Sequence, residues 1–110
     1  MQISLIQKKH LLGNKKKNLE KIEDTVYELD DSDLIIFPEM FLTGYSLGDR
    51  VWNEAEVIPG PSTEFISELS VDTDSTIICG MPEKVKGEGR LRNSAVITKP
   101  DGGIDVYRKT

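Results

Sequence analysis

Of the 110 residues, only one is a cysteine, Cys79, and only one is a histidine, His10. A single cysteine excludes an internal disulfide and fits a reducing compartment. With so few soft ligands there is no metal-binding constellation, and no cofactor is expected. No apolar run approaches the roughly 20 residues of a membrane span. The opening Met1-Gln2-Ile3-Ser4-Leu5-Ile6-Gln7 has neither a basic leader nor a long apolar core, so no signal peptide is expected and the default location is cytoplasmic. Cations are outnumbered: 14 Lys and Arg face 19 Asp and Glu, a net charge of −5. That balance argues against nucleic acid or an anionic membrane as a partner. The run Lys15-Lys16-Lys17 reads as the solvated face of a helix. Repeats, low-complexity tracts and linkers are also missing, and the length suits one small domain with one core.

What is present is an alternation of strand and helix signals. Ile3, Leu5 and Ile6 suggest a first strand. Asn14 can cap a helix running to about Leu29, because Leu19, Ile22, Val26 and Leu29 recur at spacings of three and four. Leu34 to Phe37 is a strand apolar on both faces, as in a parallel sheet covered by helices. Phe41 to Val57 reads as irregular. Pro59-Gly60-Pro61 is a sharp turn, and Ser62 is positioned to cap a helix carrying Phe65, Ile66 and Leu69. Thr76 to Cys79 forms a third strand. Ser94 to Thr98 and Ile104 to Tyr107 flank Pro100-Asp101-Gly102-Gly103 as a β-hairpin. The order implies an α/β layer structure. Two or three helices cannot cover both faces of about five strands, so the chain reads as part of a domain.

Glu39 sits at the carboxyl end of the second strand, where open α/β sheets place their chemistry. Taken alone it reads better as a solvent-facing carboxylate after a strand, and Lys109 alone reads as a surface lysine. Their context changes this. Phe37-Pro38-Glu39-Met40-Phe41-Leu42-Thr43-Gly44-Tyr45 resembles the first signature of the nitrilase superfamily, the carbon–nitrogen hydrolases. Pro59-Gly60-Pro61-Ser62-Thr63 resembles the helix start that follows in that family, and Ile78-Cys79-Gly80-Met81-Pro82-Glu83 its third-strand exit. Asn93-Ser94-Ala95-Val96-Ile97, Asp101-Gly102-Gly103 and Tyr107-Arg108-Lys109-Thr110 resemble the hairpin leading to its catalytic lysine. These motifs stand in the family's order along essentially the whole chain.

The resemblance implies a partial nitrilase-like α-β-β-α sandwich, with residues 1–110 as the N-terminal part of a single domain. It implies pairing into homodimers or larger homo-oligomers, and a small-molecule amide, carbamoyl compound or nitrile as substrate. By resemblance, Glu39 matches the general base and Lys109 the lysine of a Glu-Lys-Cys catalytic set. The nucleophilic cysteine of that set belongs to a strand-to-helix elbow downstream of the lysine, so a C-terminal half beyond Thr110 is expected to supply it, and residues 1–110 alone are expected to be inactive. Arg92 stands where many members carry an aromatic residue before the Asn. Tyr45-Ser46-Leu47-Gly48-Asp49 resembles glutaminase modules such as those of NAD synthetases and equally suits stand-alone amidases, which leaves the substrate open.

The chemistry requires these residue types. A thiol that attacks a carbonyl needs a carboxylate to take its proton and return it to the departing amine. An ammonium fixed beside the reacting carbon can stabilise the oxyanion by about 3 kcal/mol. Other residues carry competing readings. Tyr45 and Glu83 are candidates for lining the substrate site, against a core or interface aromatic for Tyr45 and loop support for Glu83; Trp52 is weighed like Tyr45. Cys79, inside an apolar strand, reads as a small core hydrophobe rather than a nucleophile. His10 is expected to be exposed. The alternative to a hydrolase is a non-catalytic half-domain serving assembly or small-molecule binding.

Overall fold

The computed structural model describes residues 1–9, 11, 14–29, 31–44 and 51–109. Five strands form one sheet in the order β1-β2-β3-β4-β5, with β1 Ile3–Leu5, β2 Leu34–Ile36, β3 Thr76–Lys84, β4 Leu91–Thr98 and β5 Ile104–Arg108. The first three are parallel and the last two complete an antiparallel meander. Helices α1 (Lys15–Glu28) and α3 (Pro61–Thr73) pack against each other, and a one-turn helix α2 spans Val51–Glu54. No helix among the described residues is long and apolar enough to cross a membrane.

Local chemistry explains the helix starts. Asn14 caps α1, its side-chain oxygen accepting from the Lys17 N–H at 3.1 Å. The start of α3 lies earlier than Ser62. Gly60 occupies the cap, Pro61 the first helical position, and the Thr63 hydroxyl oxygen accepts from the Gly60 N–H at 2.7 Å. Ser62 instead donates its N–H to Glu56 at 2.9 Å, and its hydroxyl to the same carboxylate. Lys15 also turns to Glu56 at 2.9 Å, so of the three lysines expected to be solvated only Lys16 and Lys17 are exposed. Burial pulls the Glu56 pKa up, but the Ser62 hydroxyl, the Ser62 N–H and Lys15 outweigh it and hold this carboxyl below its ordinary value.

The core lies between the helices and one face of the sheet. Ile22 and Val26 of α1, Ile66 and Leu69 of α3, Ile35 of β2, and Ile77 and Cys79 of β3 pack with Phe37 and Phe41. A second cluster joins Leu42, Met81 and Val96. Register puts Ile3, Leu5, Leu34, Ile36, Ile78, Ala95, Ile97 and Tyr107 on the opposite face. That face is apolar, and Ile3, Leu5 and Tyr107 are exposed on it. The mixed α/β sheet with helices on one face has the architecture expected from the sequence.

The third strand is more than twice as long as expected because it continues through Pro82 to Lys84. The parallel partner β2 ends at Ile36, opposite Ile78, so beyond that point one edge of β3 has no strand beside it. The Pro82 carbonyl accepts from Glu56 N–H on that outer edge, at 3.4 Å. Within a strand, the nitrogen and carbonyl of a residue point the same way, so the missing N–H of Pro82 costs the β3–β4 ladder nothing.

Candidate active site

The segment after β2 turns sharply. Phe37 still bonds β3, its N–H donating to Ile78 O at 2.8 Å, and then Pro38 ends the strand. Met40 adopts the left-handed conformation (φ 54°), and the turn closes with Gly44 N–H on Met40 O at 2.7 Å. Buried Asn18 of α1 holds the far side of this turn by donating to Leu42 O at 2.8 Å. Glu39, at the turn's start, thereby projects over the open face of the sheet.

Lys109 reaches the same place from the other end of the chain. Its N–H donates to Asn93 O at 2.9 Å, extending the β4–β5 ladder by one residue, and strand alternation turns its side chain to the open face. The Lys109 Nζ donates to Glu39 Oε1 at 2.9 Å. Asn93 Nδ2 donates to that same oxygen. The three residues rim a cavity of about 330 Å³ whose walls include Phe37, Ile78, Gly80, Ala95 and Tyr107. The site is open: the side chains of Glu39 and Lys109 are 41% and 63% exposed.

Of the residues selected from sequence, Glu39 and Lys109 are therefore brought together across 70 positions of chain. Glu83 is not with them. Its side chain lies on the helix-facing side of β3, in line with Ile77, Cys79 and Met81, and only 1% of the residue is exposed. There its carboxylate accepts from Ser94 Oγ at 2.7 Å and from Arg108 Nε and Nη2, each at 2.8 Å. The hydrogen bonds to Glu83, and then its charge, raise the Arg108 pKa. Tyr45 and His10 lie outside the described residues. Trp52 is exposed beside Val57 and Lys84, away from the cavity. Arg92 also points away, pairing with Glu88 at 2.9 Å on its own hairpin.

Cys79 is 2% exposed within the helix-side core, and burial pushes its thiol up to about 12. It lies on the face opposite the cavity and carries no nucleophile's chemistry. Among the described residues, no three His, Cys, Asp or Glu side chains cluster as metal ligands would. Asn93 joins Glu39 and Lys109 at the cavity although the sequence does not single it out as a site member. Period-two alternation along β4 places it on the open face with Ala95 and Ile97, beside the strand that delivers Lys109, and that was the available signal.

A family model described as carbon-nitrogen hydrolase matches residues 2–110. A nitrilase of Pyrococcus abyssi is 34% identical over 114 residues, covering 99% of this chain and 43% of that protein. An (R)-stereoselective amidase of a Pseudomonas species is 30% identical over 111 residues, covering all of this chain and 40% of that one. A crystal structure of a CN-hydrolase superfamily protein from Xanthomonas campestris superimposes with a TM-score of 0.86 at 25% identity, over 97% of this chain and 39% of that one. The chain thus spans about two fifths of the length of these relatives.

Proposed function

Because the chain belongs to the carbon–nitrogen hydrolase family, we propose that Glu39 and Lys109 are two members of a three-residue catalytic set that hydrolyses amide, carbamoyl or nitrile bonds. The third member is a cysteine thiol supplied by polypeptide outside these 110 residues. The observation that carries this reading is the Lys109 Nζ to Glu39 Oε1 contact of 2.9 Å at the rim of a cavity. Two supports accompany it. The one cysteine present is buried on the wrong face of the sheet, and the related proteins are more than twice as long.

For an amide, the chemistry runs as follows. The Glu39 carboxylate takes the thiol proton as sulfur attacks the carbonyl carbon, then gives that proton to the leaving nitrogen, which departs as ammonia or an amine. The same carboxylate next takes a proton from water, whose oxygen cleaves the thioester and regenerates the thiol. Lys109 keeps its charge throughout and stabilises the tetrahedral oxyanion. Asn93 and Lys109 fix the orientation of Glu39. Such a shuttle works near neutral pH when burial raises the carboxyl pKa. In this proposal the segment that brings the thiol also covers Glu39, which is two fifths exposed on this face. Covering the apolar face around Ile3, Leu5 and Tyr107 would bury it at the same time, and further copies of the chain are the second candidate occupants. The binding-module reading draws on that same face.

The test is hydrolysis of a panel of short amides and nitriles by the complete protein. Turnover abolished by Glu39→Gln and by Lys109→Met, with the fold intact, supports the proposal. Tight association of the halves without turnover of any panel member favours the binding module.

A further inference from the structure

Lys109 needs a fixed position to perform its proposed role. It follows the last residue of β5, the outermost strand of the described sheet, and its flexible side chain is 63% exposed. Among the described residues, one backbone bond, to Asn93 O, ties it to β4. Yet its Nζ must stay within hydrogen-bonding distance of Glu39, and misplacement by about 1 Å costs on the order of a hundredfold in rate.

The neighbouring residue supplies the missing constraint. Alternation along β5 turns Arg108 to the helix side while Lys109 faces the cavity. The Arg108 guanidinium grips the buried Glu83 carboxylate with two parallel bonds of 2.8 Å, and Ser94 Oγ donates to the same carboxylate at 2.7 Å. One residue from each of β3, β4 and β5 is therefore joined at a single point beneath Lys109. The fork geometry of guanidinium on carboxylate fixes direction as well as distance.

The other half of the site hangs from the same strand. Gly80 of β3 lies under the Glu39 turn, and its carbonyl accepts from Leu42 N–H at 3.3 Å. Strand β3 thus holds Glu39 through Gly80 and Lys109 through Glu83, three residues apart. A buried ion pair gives little net stability over apolar packing, and its best-attested use is to specify one arrangement of the chain.

We propose that Glu83 and Arg108 form a positioning clasp which sets the Lys109–Glu39 distance, so that β3 acts as the common ruler of the catalytic pair. This rests on the catalytic reading of Glu39 and Lys109. Glu83 and Arg108 touch no reacting atom in it.

The experiment uses the complete protein and two variants, Arg108→Lys, which keeps the charge and loses the fork, and Glu83→Gln, which keeps the shape and loses the charge. The first readout does not depend on turnover: acylation of Lys109 by an amine-reactive ester, followed by mass spectrometry. Pairing with Glu39 slows this reaction, and Glu39→Gln releases it. With the clasp as proposed, Arg108→Lys speeds Lys109 acylation as much as Glu39→Gln does, and combining the two adds nothing further. The second readout is steady-state kinetics, where kcat is expected to fall about a hundredfold in Arg108→Lys with KM changed less than about threefold. Unchanged Lys109 acylation in a folded Arg108→Lys protein overturns the clasp, as does a kcat loss no larger than the loss of folded protein. Turnover retained in Glu39→Gln would overturn the catalytic reading instead, and the acylation comparison would still decide the clasp. Should Glu83→Gln fail to fold, Arg108→Lys carries both readouts alone.

Discussion

Gly80 lies so close beneath Glu39 that a methyl group on it would come within 2.9 Å of the Glu39 Cα, and closer still to the Met40 nitrogen. Both neighbours are backbone atoms, so neither can swing aside. Glycine is needed at this position for close approach of two chain segments. Gly80→Ala is expected to lift the Glu39 turn off β3 and to cost about 1–3 kcal/mol, as overpacking does elsewhere. Urea unfolding of the variant should show a lower midpoint at an unchanged slope.

Asn93 shares the Glu39 Oε1 atom with Lys109. Asn93→Ala removes a donor to a charged group, an interaction of about 1.5–3 kcal/mol. Since Asn93 is only half-buried, the loss should fall on the orientation of Glu39 more than on folding. If the proposed function holds, kcat of the complete protein should fall roughly tenfold to a hundredfold, with thermal unfolding close to wild type.

Cys79 is expected to resist alkylation in the folded protein. With its thiol near 12, only about one molecule in ten thousand would carry the thiolate at pH 8, and the sulfur is shielded by the core. Iodoacetamide followed by mass spectrometry should label Cys79 only after denaturant is added. Rapid labelling of the native chain would refute the assignment of this residue to the core.

Glu56 makes a pH prediction whose sign follows from its depressed pKa. A carboxyl depressed on folding contributes stability that is complete above its ordinary value of 4.5 and lost as pH falls through the folded value. Glu56→Gln should therefore destabilise the protein by about 1–2 kcal/mol near neutral pH, on the scale of a lost helix-terminal bond. The gap between variant and wild type should close as the solution is acidified below 4.5 and through the depressed folded value. Guanidinium titrations across that range check it.

Much of this arrangement was legible from local sequence, because the signals concerned are short-range. Asn14 before an apolar three-and-four spacing gives α1, and the unbroken apolar run from Leu34 gives β2, both as observed. The hairpin around Asp101-Gly102 is legible for the same reason, with Gly102 at φ 88°. Expectations failed where a long-range partner decided the outcome. Ser62 is expected to cap α3, but Glu56 claims its N–H and leaves the cap to Gly60. The third strand is expected to end at Cys79, but the early finish of β2 leaves room for Pro82 within a longer β3. The one-turn α2 inside a stretch read as irregular is too short to leave a periodic signal. The site divides in the same way. Glu39 and Lys109 stand out through their motifs, whereas the Asn93 contact and the Glu83–Arg108 pair arise from register between strands, which no local window contains.

The most direct test of the central claim is the kcat of amide hydrolysis by the complete protein before and after Glu39→Gln. A side chain that shuttles the proton in both half-reactions should lose on the order of a thousandfold when its carboxylate becomes an amide of the same shape, with the unfolding midpoint within experimental error of wild type. Turnover reduced less than threefold in a properly folded Glu39→Gln enzyme would contradict Glu39 as the general base.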